Sequence, residues 1–271
     1  MPELPEVETI VRGLAPAVRG RRIAGVIIRE SRLRTPLSPD FAARLTGRLI
    51  VDLRRHGKFI LLGLDDHHVW LVHLGMTGRL TLGGASRAEL AHDHVIVGLD
   101  DGRSLTYSDT RRFGRLAVIA PGAVAAQTVP GVDALSDRLT PELLHGSARR
   151  HRRTTAKSLL MDQREIAGLG NIYANEVLFH AGIRPRRRAG RLTRADCTRL
   201  VEATRGVLMA AIARGGSSIS DYRDGFERFG SYQLEHRVYD RAGEPCRRCG
   251  AVVRACTITG RSSFYCARCQ R

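Results

Sequence analysis

The sequence predicts an α+β chain in two parts, closed by a small metal module. Up to about residue 135, apolar residues fall in short β-rich runs separated by Gly and Asp-Gly turns. Beyond about residue 150 the apolar period becomes helical. The last 30 residues hold two Cys-x2-Cys pairs. A length of 271 residues with 43% hydrophobic residues supports a buried core and excludes disorder over most of the chain.

Taken in order, Glu6 to Leu14 opens the chain as a helix, with Val7, Ile10, Val11 and Leu14 on one face. Strand-like runs follow at 22–28, 69–74, 95–99 and 116–119, the pattern of a sandwich or barrel. The Pro/Gly- and Ala-rich stretch 120–150 reads as a linker. Thr193 to Arg214 is the clearest helix. Leu200, Val201, Val207, Leu208, Ala211 and Ile212 share a face, Thr193 and Asp196 form a capping box, and Gly215-Gly216 ends it. Residues 217–240 mix Gly, Ser, Tyr and charge and read as a mobile loop.

The formal charge is +17, which points to a polyanion, with nucleic acid the usual one. Residues 146–194 carry 12 basic side chains against three acids, a net +9, so phosphate contact is expected there. Of 44 basic residues only Lys58 and Lys157 are lysine. A lysine ammonium can move a proton where an arginine cannot. The acidic N-terminus does not suit a signal peptide, and no apolar run approaches the ~18 residues of a membrane span. The expectation is a cytoplasmic protein, nucleoid-associated in a bacterium, with no membrane partner.

Cys246, Cys249, Cys266 and Cys269 have the spacing of two knuckles closing a tetrahedral site. Four thiolates leave no open position, so one structural zinc ion is expected. Two disulfides are the alternative, disfavoured in a reducing compartment. Cys197 and Cys256 read as packing thiols. A hairpin between the knuckles would carry Arg261 at its tip.

Pro2 follows Met1 directly, so removal of Met1 would expose a secondary amine. An α-amino group has a pKa of about 7.7–8.0 and is partly unprotonated near neutral pH. Such an amine can attack an electrophilic sugar carbon and form an iminium. Glu3 and Glu6 lie within about one helical turn, and either could protonate a departing group or an opened ribose oxygen. The same residues also suit an ordinary helix start, with Pro early and Glu in the first turn.

The run Pro2-Glu3-Leu4-Pro5-Glu6-Val7-Glu8-Thr9 resembles the N-terminal signature of the formamidopyrimidine-DNA glycosylase (Fpg) family. Further motifs follow in family order: His56 to Phe59, His73 to Gly78, His92 to His94, Asp109 to Gly114, Lys157, Met161 to Ala174, and the cysteine module ending Cys269-Gln270. The resemblance implies an N-terminal β-sandwich catalytic domain with a leading helix (1–135), a helical domain with a helix-two-turn-helix (136–240) and a zinc-finger hairpin (241–271). It implies a monomeric, bifunctional base-excision repair glycosylase and AP lyase acting on damaged double-stranded DNA, chiefly 8-oxoguanine and formamidopyrimidines.

By the same resemblance, Pro2 is the Schiff-base nucleophile, Glu3 the general acid, Lys58 the proton donor near the reacting nucleotide for β-elimination and Arg261 the finger arginine of δ-elimination. Met76, Arg111 and Phe113 resemble the wedge that fills the space of the flipped base. Lys157 and Asn171 resemble phosphate grips, with His92 and Arg152 as further DNA contacts. Two departures stand out: Thr110 replaces a usual Pro before Arg111, and Asp240 a common Gly. The alternatives are an endonuclease VIII-type glycosylase for oxidised pyrimidines and a non-catalytic damaged-DNA-binding protein.

Overall fold

A computed structural model describes residues 2–84, 90–219 and 222–271. The chain forms two compact units. One comprises residues up to Thr128 together with Arg214–Ser231; the other comprises Val129–Ala213 with Tyr232–Arg271. These bounds differ from the expected 135 and 240, chiefly because the chain returns to the first unit after residue 213.

The first unit opens with α1 (Leu4–Val18). Glu3 caps it and Pro5 lies in its first turn, where a missing N–H costs nothing. Strand β1 (Ile23–Ile28), short helix α2 (Phe41–Leu45), and strands β2 (Ile50–His56), β3 (Phe59–Leu64), β4 (Val69–His73), β5 (Arg79–Gly83), β6 (Asp93–Leu99), β7 (Ser104–Ser108) and β8 (Arg115–Ile119) follow. They form two four-stranded antiparallel sheets ordered β1-β6-β7-β5 and β2-β3-β4-β8. The apolar face of α1 (Val7, Ile10, Val11, Leu14, Val18) joins Phe41, Trp70, Val95, Leu105 and Tyr107 in one core. The predicted sandwich with a leading helix is therefore present.

The segment read as linker contains two helices, α3 (Val124–Gln127) and α4 (Pro141–Arg150). Thr140 caps α4, accepting the Leu143 N–H at 3.2 Å, and Pro141 takes the first position. Strand β9 (Val132–Asp133) pairs in parallel with β10 (Ile166–Ala167), and α5 (Ala156–Met161) precedes β10. Helices α6 (Asn171–His180) and α7 (Arg194–Ala213) complete the helical part of the second unit. The Thr193 box forms as expected: Asp196 N–H donates to Thr193 Oγ1 at 3.1 Å and Thr193 N–H to Asp196 Oδ2 at 2.8 Å. All six predicted face residues of α7 are buried, and burial pushes the packing thiol Cys197 up to about 11.

The second unit ends in a hairpin of β11 (Val253–Ile258) and β12 (Arg261–Cys266). It packs with Phe179 and Val238 around the cysteines. Glu176, buried on α6, accepts N–H groups of Arg237, Val238 and Tyr239 at 2.8–3.0 Å. The expected 217–240 loop thus divides. Its first part folds onto the first unit, and 237–239 are clamped in the second; Ser220 and Asp221 lie outside the described residues. Among the described residues no helix is long and apolar enough to cross a membrane.

Candidate active site and DNA interface

The expected residues fall in both units. Pro2, Glu3, Glu6, Lys58, Met76, His92, Arg111 and Phe113 lie in the first; Arg152, Lys157, Asn171, Arg261 and the four cysteines lie in the second. Met1 lies outside the described residues.

Pro2, Glu3 and Glu6 are all buried. Glu3 N–H donates to Glu6 Oε2 at 2.8 Å, and Glu3 in turn caps the Glu6 N–H. Glu6 Oε1 accepts the Ser217 N–H at 2.7 Å, and the Tyr222 hydroxyl donates to the Glu6 carbonyl at 3.2 Å. Gly216 has φ +84°, and a Cβ there would lie 2.7 Å from Glu6 Oε1. Only glycine fits this approach. Both Glu6 oxygens therefore serve backbone N–H groups, so this carboxylate holds the helix start and the 214–231 segment together.

Lys58 sits in the two-residue loop between β2 and β3, where His56 pairs with Phe59. Gly57 takes φ +56°, which such hairpin loops ask of glycine at their first position. Arg55 was not singled out by sequence reasoning, being one guanidinium among many. It joins α1 to this hairpin: Nε donates to Glu8 Oε2 at 2.7 Å and Nη1 to the Gly57 carbonyl at 3.0 Å. Burial works to raise the Glu8 pKa, yet the Arg55 and Arg12 guanidiniums hold it below the usual carboxylate range.

His73 packs against Phe59 with ring centroids 4.8 Å apart and the ring planes tilted by 46°. Burial first, then the charges of Lys58, Arg34 and Arg115, lowers its pKa to about 4. Its Nδ1 accepts the Gly75 N–H at 3.2 Å, which requires the neutral ring.

Met76 and Phe113 are 38% and 41% exposed, so two large apolar side chains stand in solvent. The Arg111 guanidinium lies 4.5 Å above the Phe113 ring. The loops that carry them are in contact: Gly75 has φ +61°, and a Cβ there would lie 2.5 Å from the Phe113 carbonyl carbon. His92 is exposed and borders a cavity of about 190 Å³ that Thr77, Asp93 and Asp109 also line.

In the second unit Lys157 turns inward. Lys157 is 1% exposed, and its ammonium donates to the Ser262 carbonyl at 2.6 Å and to Ser263 Oγ at 2.7 Å. A buried ammonium needs such partners. Lys157 thus supports the hairpin that carries Arg261. Arg261 itself is exposed at the start of β12. Asn171 is the first residue of α6, behind a turn braced by Gln163, which donates to the Leu169 carbonyl at 2.7 Å and accepts the Gly168 N–H at 2.9 Å. Arg152 lines a groove of about 470 Å³ with Arg153, Arg188, Gly190 and Arg191, and no acid is among the described residues that line it.

The sulfur atoms of Cys246, Cys249, Cys266 and Cys269 lie within 4.8 Å of one another, with 3.9 Å between Cys246 and Cys269 and 3.5 Å between Cys249 and Cys266. A tetrahedral ion with Zn–S of about 2.3 Å places its sulfurs about 3.8 Å apart. The cluster therefore fits zinc and excludes S–S bonds; all four cysteines are free. Burial, then the neighbouring thiols, pushes the Cys269 thiol up to about 12, a crowding that a divalent cation relieves.

Three family models match in order: the formamidopyrimidine-DNA glycosylase N-terminal domain over residues 1–116, its H2TH domain over 131–223, and the zinc finger found in FPG and IleRS over 243–271. The chain belongs to the formamidopyrimidine-DNA glycosylase family. A formamidopyrimidine-DNA glycosylase of Thiobacillus denitrificans is 46% identical over the full length of both chains. Among solved structures, a mutant Lactococcus lactis FPG in complex with Fapy-dG-containing DNA is 31% identical, with TM-score 0.90 and full coverage of both chains. MutM in complex with carbocyclic 8-oxo-G-containing DNA gives the same identity, TM-score and coverage. The fold is thus the two-domain α+β Fpg fold, with its H2TH segment and four-cysteine zinc finger.

Both departures from the Fpg pattern fall in turns. Asp240, where the family commonly has Gly, takes φ +59°. Asp tolerates this conformation better than most residues, and the finger cysteines keep their cluster. Thr110 lies within a turn closed by Arg112 N–H on the Asp109 carbonyl at 3.3 Å.

Proposed function

We propose that this Fpg-family chain is a bifunctional DNA glycosylase/AP lyase for oxidised purines, chiefly 8-oxoguanine and formamidopyrimidines. The observation that carries the reading is Pro2, whose nitrogen becomes a secondary amine once Met1 is removed, buried next to the capping-box carboxylates Glu3 and Glu6 that open α1. A DNA-binding role alone needs no such group. The relatives solved with Fapy-dG and 8-oxo-G DNA support the lesion class.

With Met1 removed, the Pro2 nitrogen attacks C1′ of an extruded nucleotide. The C1′–N bond of the base breaks, the base leaves with a proton, and Glu3 serves as general acid in opening the sugar. Ring opening leaves an iminium between Pro2 and C1′. The iminium acidifies the C2′ proton; its loss expels the 3′ phosphate by β-elimination. Lys58 is the proton donor near the reacting nucleotide, and a second elimination, assigned to Arg261, releases the 5′ phosphate. Glu6 positions the 214–231 segment. Met76 and Phe113 occupy the gap in the stack, and Arg111 hydrogen-bonds the orphaned base. Asn171, His92 and the Arg152 groove contact phosphates. The four cysteines would hold one zinc ion, whose closed shell supplies structure only. The chain acts as a monomer in the cytoplasm, on the nucleoid.

The test compares excision of 8-oxoguanine opposite cytosine with excision of thymine glycol. Faster release of 8-oxoguanine is expected. Faster release of thymine glycol would move the chain to the oxidised-pyrimidine class.

A further inference from the structure

Asp109 is 1% exposed, and its carboxylate accepts four hydrogen bonds. Oδ1 takes Thr77 Oγ1–H at 2.5 Å and Arg111 N–H at 3.3 Å. Oδ2 takes the Tyr107 hydroxyl at 3.0 Å and Gly114 N–H at 2.9 Å. Arg111 N–H is shared with Thr77 Oγ1 at 3.2 Å. The backbone of Asp109 is fixed as well: its carbonyl accepts His94 Nε2–H at 2.7 Å, and its N–H donates to the His92 carbonyl at 3.1 Å.

Tyr107 stands on β7, and the other three donors belong to two loops. Thr77 directly follows Met76, while Arg111 and Gly114 bracket Phe113. There is no slack between the loops. A Cβ on Gly78 would lie 2.8 Å from the Tyr107 hydroxyl oxygen, and one on Gly114 would fall on it. We infer that Asp109 is the positioning residue that locks Met76, Arg111 and Phe113 into a single wedge. It thereby governs insertion into the duplex and not the chemistry at C1′. This inference rests on the wedge reading above.

The carboxylate is suited to this place because it only accepts. An Asp109→Asn change puts an NH2 where an oxygen stood. The Thr77 and Tyr107 hydroxyls can rotate away. The backbone N–H groups cannot: turned one way the NH2 faces Gly114 N–H, and turned the other it leaves Arg111 N–H only Thr77 Oγ1. A buried donor left without an acceptor is costly.

The experiment measures two rates for each protein. One is excision of 8-oxoguanine from a duplex, which needs the wedge. The other is cleavage of an abasic site in a single strand, which has no partner base to replace. Asp109→Asn is expected to lower the ratio of the first rate to the second about tenfold. Thr77→Val, which removes one donor and keeps the side-chain shape, is expected to lower it about threefold. A 2-aminopurine placed opposite the lesion reports insertion directly, and its fluorescence rise should shrink in parallel. A wild-type ratio in both variants, or equal losses on both substrates, would overturn the inference while leaving the proposed activity standing. A wild type that processes neither substrate would overturn that activity and this inference with it.

Discussion

Glu6 Oε1 accepts the backbone N–H of Ser217 at 2.7 Å, joining positions 211 apart in the chain. The same carboxylate holds Glu3 N–H through Oε2 at 2.8 Å. One side chain thus fixes both the helix start that carries Pro2 and the segment that returns to it. A Glu6→Gln substitution leaves one of these two N–H groups facing an amide NH2. Leaving a buried donor unsatisfied costs about 1–3 kcal/mol. The expected result is a roughly tenfold or greater loss of base excision, with a smaller loss on a preformed abasic site. Equal losses on both, as large as those of Glu3→Gln, would mean that Glu6 acts on the substrate itself.

His73 predicts a pH dependence of stability. Its pKa is about 4 in the folded chain, lowered by burial and by Lys58, Arg34 and Arg115, against about 6.5 when unfolded. Between these values the unfolded chain binds the extra proton. Stability is therefore full above about pH 6.5 and falls as the pH drops toward 4. A His73→Asn variant can still offer an oxygen to Gly75 N–H but does not titrate. Thermal midpoints at pH 7 and pH 5, measured with excess zinc, should fall more for wild type than for this variant. Equal falls would contradict the assignment.

The arginine groove predicts a steep salt dependence. Four guanidiniums, those of Arg152, Arg153, Arg188 and Arg191, share one groove with no acid among its described lining residues. If each neutralises a phosphate, log affinity should fall against log salt with a slope of about −3.5 or steeper. Replacing Arg188 and Arg191 together with Ala should reduce the slope by about 2. A flat dependence, or an unchanged slope in the double variant, would remove the groove from the interface.

The first and last long helices were legible because their buried residues recur at helical spacing, as Ile10 and Leu14 do in α1 and Leu208 and Ile212 in α7. The metal cluster was legible because two short-range chelates need only local geometry. Helix α4 was hidden by its weak apolar content and by Gly146 within it. Lys157 shows a different limit. Sequence placed it near DNA, but only folding shows its ammonium turned inward to Ser262 and Ser263. Arg55 and Asp109 share that limit. Each takes its role from partners distant in sequence, Glu8 for one and Thr77 for the other, and neither type stands out in a charged chain.

The proposed activity depends on covalent catalysis by the Pro2 amine. The most direct measurement is borohydride trapping on a duplex carrying 8-oxoguanine opposite cytosine, using protein whose N-terminus has been verified by mass spectrometry. Borohydride reduces an iminium to a stable cross-link. A covalent protein–DNA species that disappears in Pro2→Gly, which still binds the duplex, is the predicted result. A correctly processed wild type that binds the duplex and an abasic duplex yet cross-links to neither would rule out a Pro2 Schiff base.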